Sequence, residues 1–210
     1  MGSSRGKATW RRRVPRPLRA VGWKVLNAIK HEQPGLLMRY QGVSDLVEMP
    51  LPPGYELRPL REGDQQGWVA LLNESGAFGE WDYERLERET HGLIRSAQFF
   101  VEHDGELVAA TGVLDRPLRH EPALEIGWVV RAPNHTGMNL GRVVVVRALH
   151  EATRIADART VYLYTDDHRL TAIALYLDIG FVPDLVAHRS YKSRWQAVFA
   201  ALDRRGAPSP

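Results

Sequence analysis

The chain predicts an α/β fold, a mixed and mostly antiparallel sheet flanked by helices, and three observations predict it. From residue 55 onward, apolar runs with the period of strands alternate with runs that have the period of helices. An Asp-Gly pair inside His103-Asp104-Gly105-Glu106 separates two strand-like runs at the spacing of a hairpin. A glycine-bearing turn over residues 132–142 then joins the run Leu124 to Val130 to a long apolar stretch beginning at Val143. Antiparallel strands followed by strand, helix, strand, helix require a sheet with both kinds of pairing.

Residues 1–50 read as a basic extension. Leu18, Val21, Val25, Leu26 and Ile29 recur at helical spacing with Arg19, Lys24 and Lys30 available for another face, which predicts an amphipathic helix opened by Pro15 and Pro17 and closed by Pro34-Gly35. Leu51-Pro-Pro-Gly54 marks the start of a domain expected to span 51–203. Tyr55 to Leu60 is expected as a strand, and Asp64 to Asn73 and Asp82 to Arg95 as helices, the second opening on an acid suited to the positive end of its dipole. Gln98 to Val101 and Leu107 to Val113 form the hairpin. Along the strand Leu124 to Val130, alternation sets Leu124, Ile126 and Trp128 on the face opposite Glu125. The four valines at 143 to 146 favour a strand locally, but the apolar pattern runs on through Ala148, Leu149, Ala152, Ile155 and Ala156, too long for one strand, and predicts a buried helix. Val161 to Thr165 reads as a strand, Leu170 to Ile179 as a helix, Phe181 to Val186 as a last strand and Ser193 to Leu202 as a last helix. Residues 204–210 read as a disordered tail.

Composition narrows the function. The 210 residues hold one ordinary domain plus an extension, and 44% apolar content supports a real core. The absence of cysteine excludes a disulfide framework, a thiolate metal site and a cysteine nucleophile, and is compatible with a reducing cytoplasm, the expected location. No apolar run approaches the roughly 20 residues that span a bilayer, so no transmembrane segment is expected. The net charge of +3 conceals an asymmetry: nine of the 28 basic residues precede the first acid, Glu32, and the 19 that remain face 25 acids. The basic character therefore belongs to the extension, whose helix reads first as docking on its own domain, with an anionic membrane surface or nucleic acid met through residues 5–30 as the alternatives.

The turn Ala132-Pro133-Asn134-His135-Thr136-Gly137-Met138-Asn139-Leu140-Gly141-Arg142 carries the chemistry. A helix that starts here leaves its first backbone N–H groups without intrahelical partners and at the positive end of the dipole, which suits a phosphate. Gly137 and Gly141 are expected to supply positive φ, and Asn139 is the non-glycine residue that tolerates it best. A second segment, Thr165 to Phe181, contains Ala172, Ile173, Leu175, Tyr176, Gly180 and Phe181 at regular spacing.

Together the two segments resemble the GNAT N-acetyltransferases, in which a strand leads into Arg-Gly-x-Gly-x-Gly/Ala and a later helix carries Ala-Ile-x-Leu-Tyr ending in Gly-Phe. Gly137 and Gly141 match, as do the six residues of the second segment; Thr136 stands where Arg is usual and Asn139 where Gly is usual. The likeness covers about Tyr55 to Val186. It implies a sheet whose central strands splay, and transfer of an acetyl group from acetyl-CoA directly to a small-molecule or protein amine. It further implies that the CoA pyrophosphate meets Thr136, Gly137, Met138, Asn139, Leu140, Gly141 and Arg142, and that pantetheine pairs with backbone beside Val129, Val130 and Arg131. Arg169, where the family often has Asn, reaches a CoA phosphate or a neighbouring acid.

Tyr176 is the implied general acid, since a phenol can protonate a leaving thiolate, and its alternative is a packing role. Glu125 is the candidate base, its alternative an ordinary ion-paired glutamate, with water or an amine that arrives deprotonated as further routes. Asp166, Asp167 and His168 have metal-ligand chemistry but no second cluster, so they read as a turn or helix cap, and no metal site is expected. The loop Asp115 to Glu121, with His120, is a candidate for the acceptor side. The competing class is a non-catalytic protein of the same fold that docks on nucleic acid, the ribosome or an anionic surface through its arginine-rich extension. A homodimer is compatible with either.

Overall fold

The computed structural model describes residues 34–42, 46–156 and 160–206. The amphipathic helix and arginine-rich stretch expected within 1–33, and residues 207–210 of the expected tail, lie outside the described residues. In chain order the elements are β1 (Leu36–Tyr40), β2 (Tyr55–Pro59), α1 (Gln65–Ser75), α2 (Tyr83–Glu89), β3 (Leu93–His103), β4 (Glu106–Asp115), β5 (Ala123–Arg131), a single 3-10 turn (Pro133–His135), α3 (Leu140–Ala156), β6 (Thr160–Thr165), α4 (Leu170–Ile179), β7 (Phe181–Pro183) and α5 (Tyr191–Gly206).

The strands form one seven-stranded sheet in the order β2-β3-β4-β5-β6-β1-β7. Every neighbouring pair is antiparallel except β5 and β6, which run parallel. That parallel pair is brief: Ala123 faces Thr160, Leu124 faces Val161 and Glu125 faces Tyr162, after which β5 continues to Arg131 without β6. The central strands therefore splay beyond Glu125, and a cleft opens there. Helices cover both faces of the sheet. Phe99 lies under the Arg147 guanidinium of α3 (5.1 Å to the ring centroid), while the next residue, Phe100, meets Trp68 of α1 edge to face at 5.5 Å; successive side chains on a strand point to opposite faces.

β1 corrects the expected domain boundary. Leu36, Leu37 and Met38 are buried between β6 and β7, so the unit begins at Gly35 rather than at Leu51. Its strand identity comes from distant partners, and the local Pro34-Gly35 signal points elsewhere. At the other end α5 runs to Gly206, into the stretch expected as tail. The helix expected from Asp82 to Arg95 stops at Glu89: Asp82 caps its start by accepting from Arg85 N (2.7 Å), the Thr90 hydroxyl donates back to Leu86 O (2.7 Å), and Gly92 takes φ 85°. A Cβ on Gly92 would lie 2.9 Å from Asp115 O, so the chain turns there against the end of β4. The last strand also ends early, at Pro183, because the Asp184 carboxylate accepts from the amides of Val186 (2.9 Å) and Ala187 (2.6 Å) and bends the chain away.

Other expectations match. Asp104 (φ 50°) and Gly105 (φ 80°) both take positive φ in the hairpin turn, and the valine run is the buried face of α3. Gln98 on β3 is fully buried, and neither its amide nitrogen nor its oxygen has a hydrogen-bond partner among the described residues. Gln98→Met keeps the length and removes two desolvated polar atoms, so we expect a gain of about 1 kcal/mol or more, read as a higher midpoint in urea unfolding.

Candidate active site

β5 positions the site through an irregularity. Ala110 pairs with Val130 but Gly112 pairs with Gly127, so β5 carries one extra residue against β4. Trp128 absorbs it with φ 47°, and the Thr111 hydroxyl donates to Gly127 O at 2.9 Å. The bulge overturns strict alternation: the Arg116 guanidinium pairs with Glu125 (3.3 Å) and lies over the Trp128 ring (5.2 Å), so Glu125 and Trp128 share a face.

After β5 the chain makes the 3-10 turn and enters α3 through Gly137 (φ 84°) and Asn139 (φ 55°). The first helical bond is Val143 N to Asn139 O, 3.1 Å. Among the described residues, none of the amides from Gly137 to Arg142 donates to the protein. Gly141 differs from expectation: it is helical rather than at positive φ, and a Cβ there would make only an ordinary contact, 3.7 Å from Leu175 Cδ2 of α4. The turn is braced from behind. Tyr55 Oη lies 2.8 Å from both His135 Nδ1 and Met138 Sδ, and its ring stacks on His103 at 4.1 Å.

Two hollows meet at the splay. A cleft of about 620 Å³ is lined by Val129, Val130, Arg131, Thr136, Gly137, Asn139, Leu140, Gly141, Arg142 and Arg169, that is, by every candidate cofactor residue except Met138, whose sulfur is held by Tyr55. Arg131, Arg142, Arg169, Arg205 and His168 line it, and Arg142 is paired with Asp178, which stands outside the lining. The neighbouring cavity, about 280 Å³, shares Val129 and Arg169 with the cleft and contains Tyr176 and Glu125 together with Glu89, Arg116, Asp166 and the rings of Phe78, Trp128 and Tyr164. A basic cleft thus leads into a cavity whose carboxylates outnumber its cations.

In the cavity, Tyr176 is 2% exposed with its ring against Phe181 (5.9 Å), and burial pushes its phenol up to about 12 against the opposing charge of Arg169. The Glu125 side chain is 16% exposed; burial raises its carboxyl above the ordinary range, and Arg116 and the Tyr162 hydroxyl (3.4 Å) pull it back. Among the described residues Arg169 pairs with no acid. It donates to Val129 O (3.1 Å) and lies over the Phe78 ring (4.8 Å), at the junction of the two hollows. Asp167 is bound by Arg194, which lowers its pKa, and so belongs to the packing of α5.

The match to known proteins follows the same geometry. A family model described as acetyltransferase (GNAT) family matches residues 59–181, from the end of β2 to the start of β7. The chain belongs to the GNAT acetyltransferases. Among solved structures, a GCN5-related N-acetyltransferase from Sphaerobacter thermophilus is similar with TM-score 0.57 at 15% identity, covering 79% of this chain and 53% of that one. An acetyltransferase of the GNAT family from Novosphingobium aromaticivorans gives 0.52 at 22%, covering 73% and 61%. The ribosomal-protein-S18-alanine N-acetyltransferase from Escherichia coli gives 0.51 at 19%, covering 61% and 77%. At these identities the likeness is one of fold, and the chain spans little more than half the length of the first two. No curated protein matches the chain.

Within this GNAT fold, sequence reasoning missed Arg205, His168 and Arg116. Arg205 comes from the far end of α5, where its guanidinium donates to Thr171 Oγ1 (3.4 Å) beside the cleft; no local pattern marks it. Arg116 lies inside the loop expected on the acceptor side, and its signal is that loop's neighbourhood to Glu125. Among the described residues no helix is long and apolar enough to cross a membrane.

Proposed function

We propose that this protein transfers an acetyl group from acetyl-CoA to an amine by direct attack. The observation that carries the reading is the joining of an arginine-lined cleft, along which Gly137, Asn139, Leu140, Gly141 and Arg142 carry uncapped amides, to a cavity holding a buried phenol and a part-buried carboxylate. The chemistry of the first fits a polyphosphate nucleotide and that of the second an ammonium. Gly137 to Arg142, with Arg131 and Arg205, would hold the phosphates, and backbone from Val129 to Arg131 would meet the pantetheine arm. Acetyl-CoA supplies the acyl group as an activated thioester.

Glu125 takes the proton from the acceptor ammonium, directly or through water, as nitrogen attacks the carbonyl carbon. The C–N bond forms, the C–S bond breaks, Tyr176 gives its proton to the departing sulfur, and the nitrogen's second proton passes to the resulting phenolate, directly or through water, as the amide forms. Because the phenol titrates near 12, it stays protonated through the working pH range, while the raised carboxyl of Glu125 sets the acid side of the profile: activity falls as pH drops through its pKa.

Because the chain has no cysteine, a thiol reagent sees only released CoA. Incubation of acetyl-CoA with a polyamine, an aminoglycoside, an arylalkylamine, a lysine peptide and a peptide with N-terminal alanine is expected to release thiol above background with at least one of them. Equal release with and without every amine would remove the reading.

A further inference from the structure

We propose that Arg116 is the positioning residue that fixes Glu125 and keeps it ionisable inside the acceptor cavity. This rests on the reading of Glu125 as the base. Arg116 uses every nitrogen of its guanidinium: NH1 faces Glu125 Oε2 (3.3 Å), Nε donates to His91 O (3.3 Å) and NH2 donates to Glu89 O. The planar group also lies 5.2 Å from the Trp128 ring centroid, over the bulge in β5. Its donors are thus divided between a carboxylate on one element and two carbonyls at and just past the end of α2, which is a fork geometry that only guanidinium offers.

The backbone around it is equally constrained. Asp115 N donates to Gly92 O (2.8 Å), and Gly92 approaches Asp115 O too closely to carry a Cβ. The 89–92 segment and the start of the 115–121 loop therefore form one wall, and Arg116 ties it to β5. The other groups facing Glu125 offer no replacement cation. Tyr162 and Tyr164 come from β6, Glu89 from the end of α2, Asp166 from the β6–α4 turn and Tyr176 from α4, while the one further cation of the cavity, Arg169, is committed to Val129 O and Phe78. Loss of Arg116 would leave a carboxylate in a cavity with two further acids and no cation bound to it.

The test is titration of Glu125 by carboxyl carbon NMR on glutamate-labelled full-length protein, the resonance being assigned by its loss in Glu125→Gln. Arg116→Met is expected to move the midpoint upward by about one pH unit or more, and Arg116→Lys, which keeps the charge, to leave it near that of the unmodified chain. With the best amine of the panel, the acid limb of kcat/KM should shift in Arg116→Met by the same amount, with most activity regained on the alkaline plateau. Recovery on that plateau distinguishes a shifted base from a damaged fold, and Arg116→Gln serves as the second variant if the Met protein fails to fold. An unmoved midpoint in both neutral variants overturns the role of Arg116 while leaving Glu125 as base. An acid limb that persists in Glu125→Gln overturns the base itself, and this inference with it.

Discussion

Tyr176→Phe is expected to lower kcat for acetyl transfer by about 100-fold to 10,000-fold, the usual worth of a positioned proton donor, while KM for acetyl-CoA stays within about threefold. The substitution deletes one oxygen from a residue held by its ring. Tyr176 sits on the buried face of α4 with Ile173 and Ile179, and its ring meets Phe181, contacts that phenylalanine keeps. A folded protein with intact cofactor affinity and slow turnover is therefore the expected phenotype. Without the phenol the departing sulfur must leave as a thiolate. The matching check is pH: the phenol of the unmodified protein stays protonated across the assay range, so Tyr176→Phe should lower the whole kcat profile without changing its shape. Steady-state kinetics from pH 5 to 9, an assay span of roughly the usual range, decides it. A kcat within tenfold would return Tyr176 to packing.

Gly141→Asp is expected to move stability and cofactor binding in opposite directions. The position is in the first turn of α3, where a carboxylate complements the helix dipole and contributes roughly 0.3–1 kcal/mol. Its Cβ has room, the nearest atom being Leu175 Cδ2 at 3.7 Å. The fold should therefore melt at the same temperature or slightly above. The same carboxylate would stand among the free amides of Gly137 to Arg142 and in the cleft that Arg131, Arg142, Arg169 and Arg205 make basic. A phosphate entering that cleft would meet like charge and occupied donors, so affinity for CoA should fall by about 100-fold or more, roughly 3 kcal/mol. Thermal unfolding and CoA titration on one preparation separate the two effects. A variant that binds CoA as well as the unmodified chain would move the phosphate site elsewhere.

The sequence exposed those features whose cause is local. The Asp104-Gly105 turn needs two residues with positive φ and the chain supplies a pair that accepts it; Asp82 caps α2 because an acid is the residue a helix start prefers. The valine run was legible as helix because its apolar pattern outlasts any strand. Features set by distant partners were not legible. β1 is a strand only because β6 and β7 flank it, while its own neighbours, Pro34 and Gly35, carry the signal of a helix ending. The bulge at Trp128 reverses which face the following residues occupy, and nothing in Ile126-Gly127-Trp128-Val129 announces a positive φ on tryptophan. For the site the division is similar. The residues of the proposed phosphate turn are contiguous, and the fold brings nearly all of them onto one cleft. Arg116 and Arg205 reach the hollows from a loop and from the last helix, and tertiary structure alone makes them neighbours of Glu125 and of the cleft.

The most direct measurement is a calorimetric titration of the full-length protein with CoA at two salt concentrations. Saturable binding of one CoA per chain, weakening as salt rises because the arginine-lined cleft holds phosphates, is the expected result. No heat and no protection against thermal unfolding at millimolar CoA would contradict it, and with it the acyl-transfer chemistry built on that cleft.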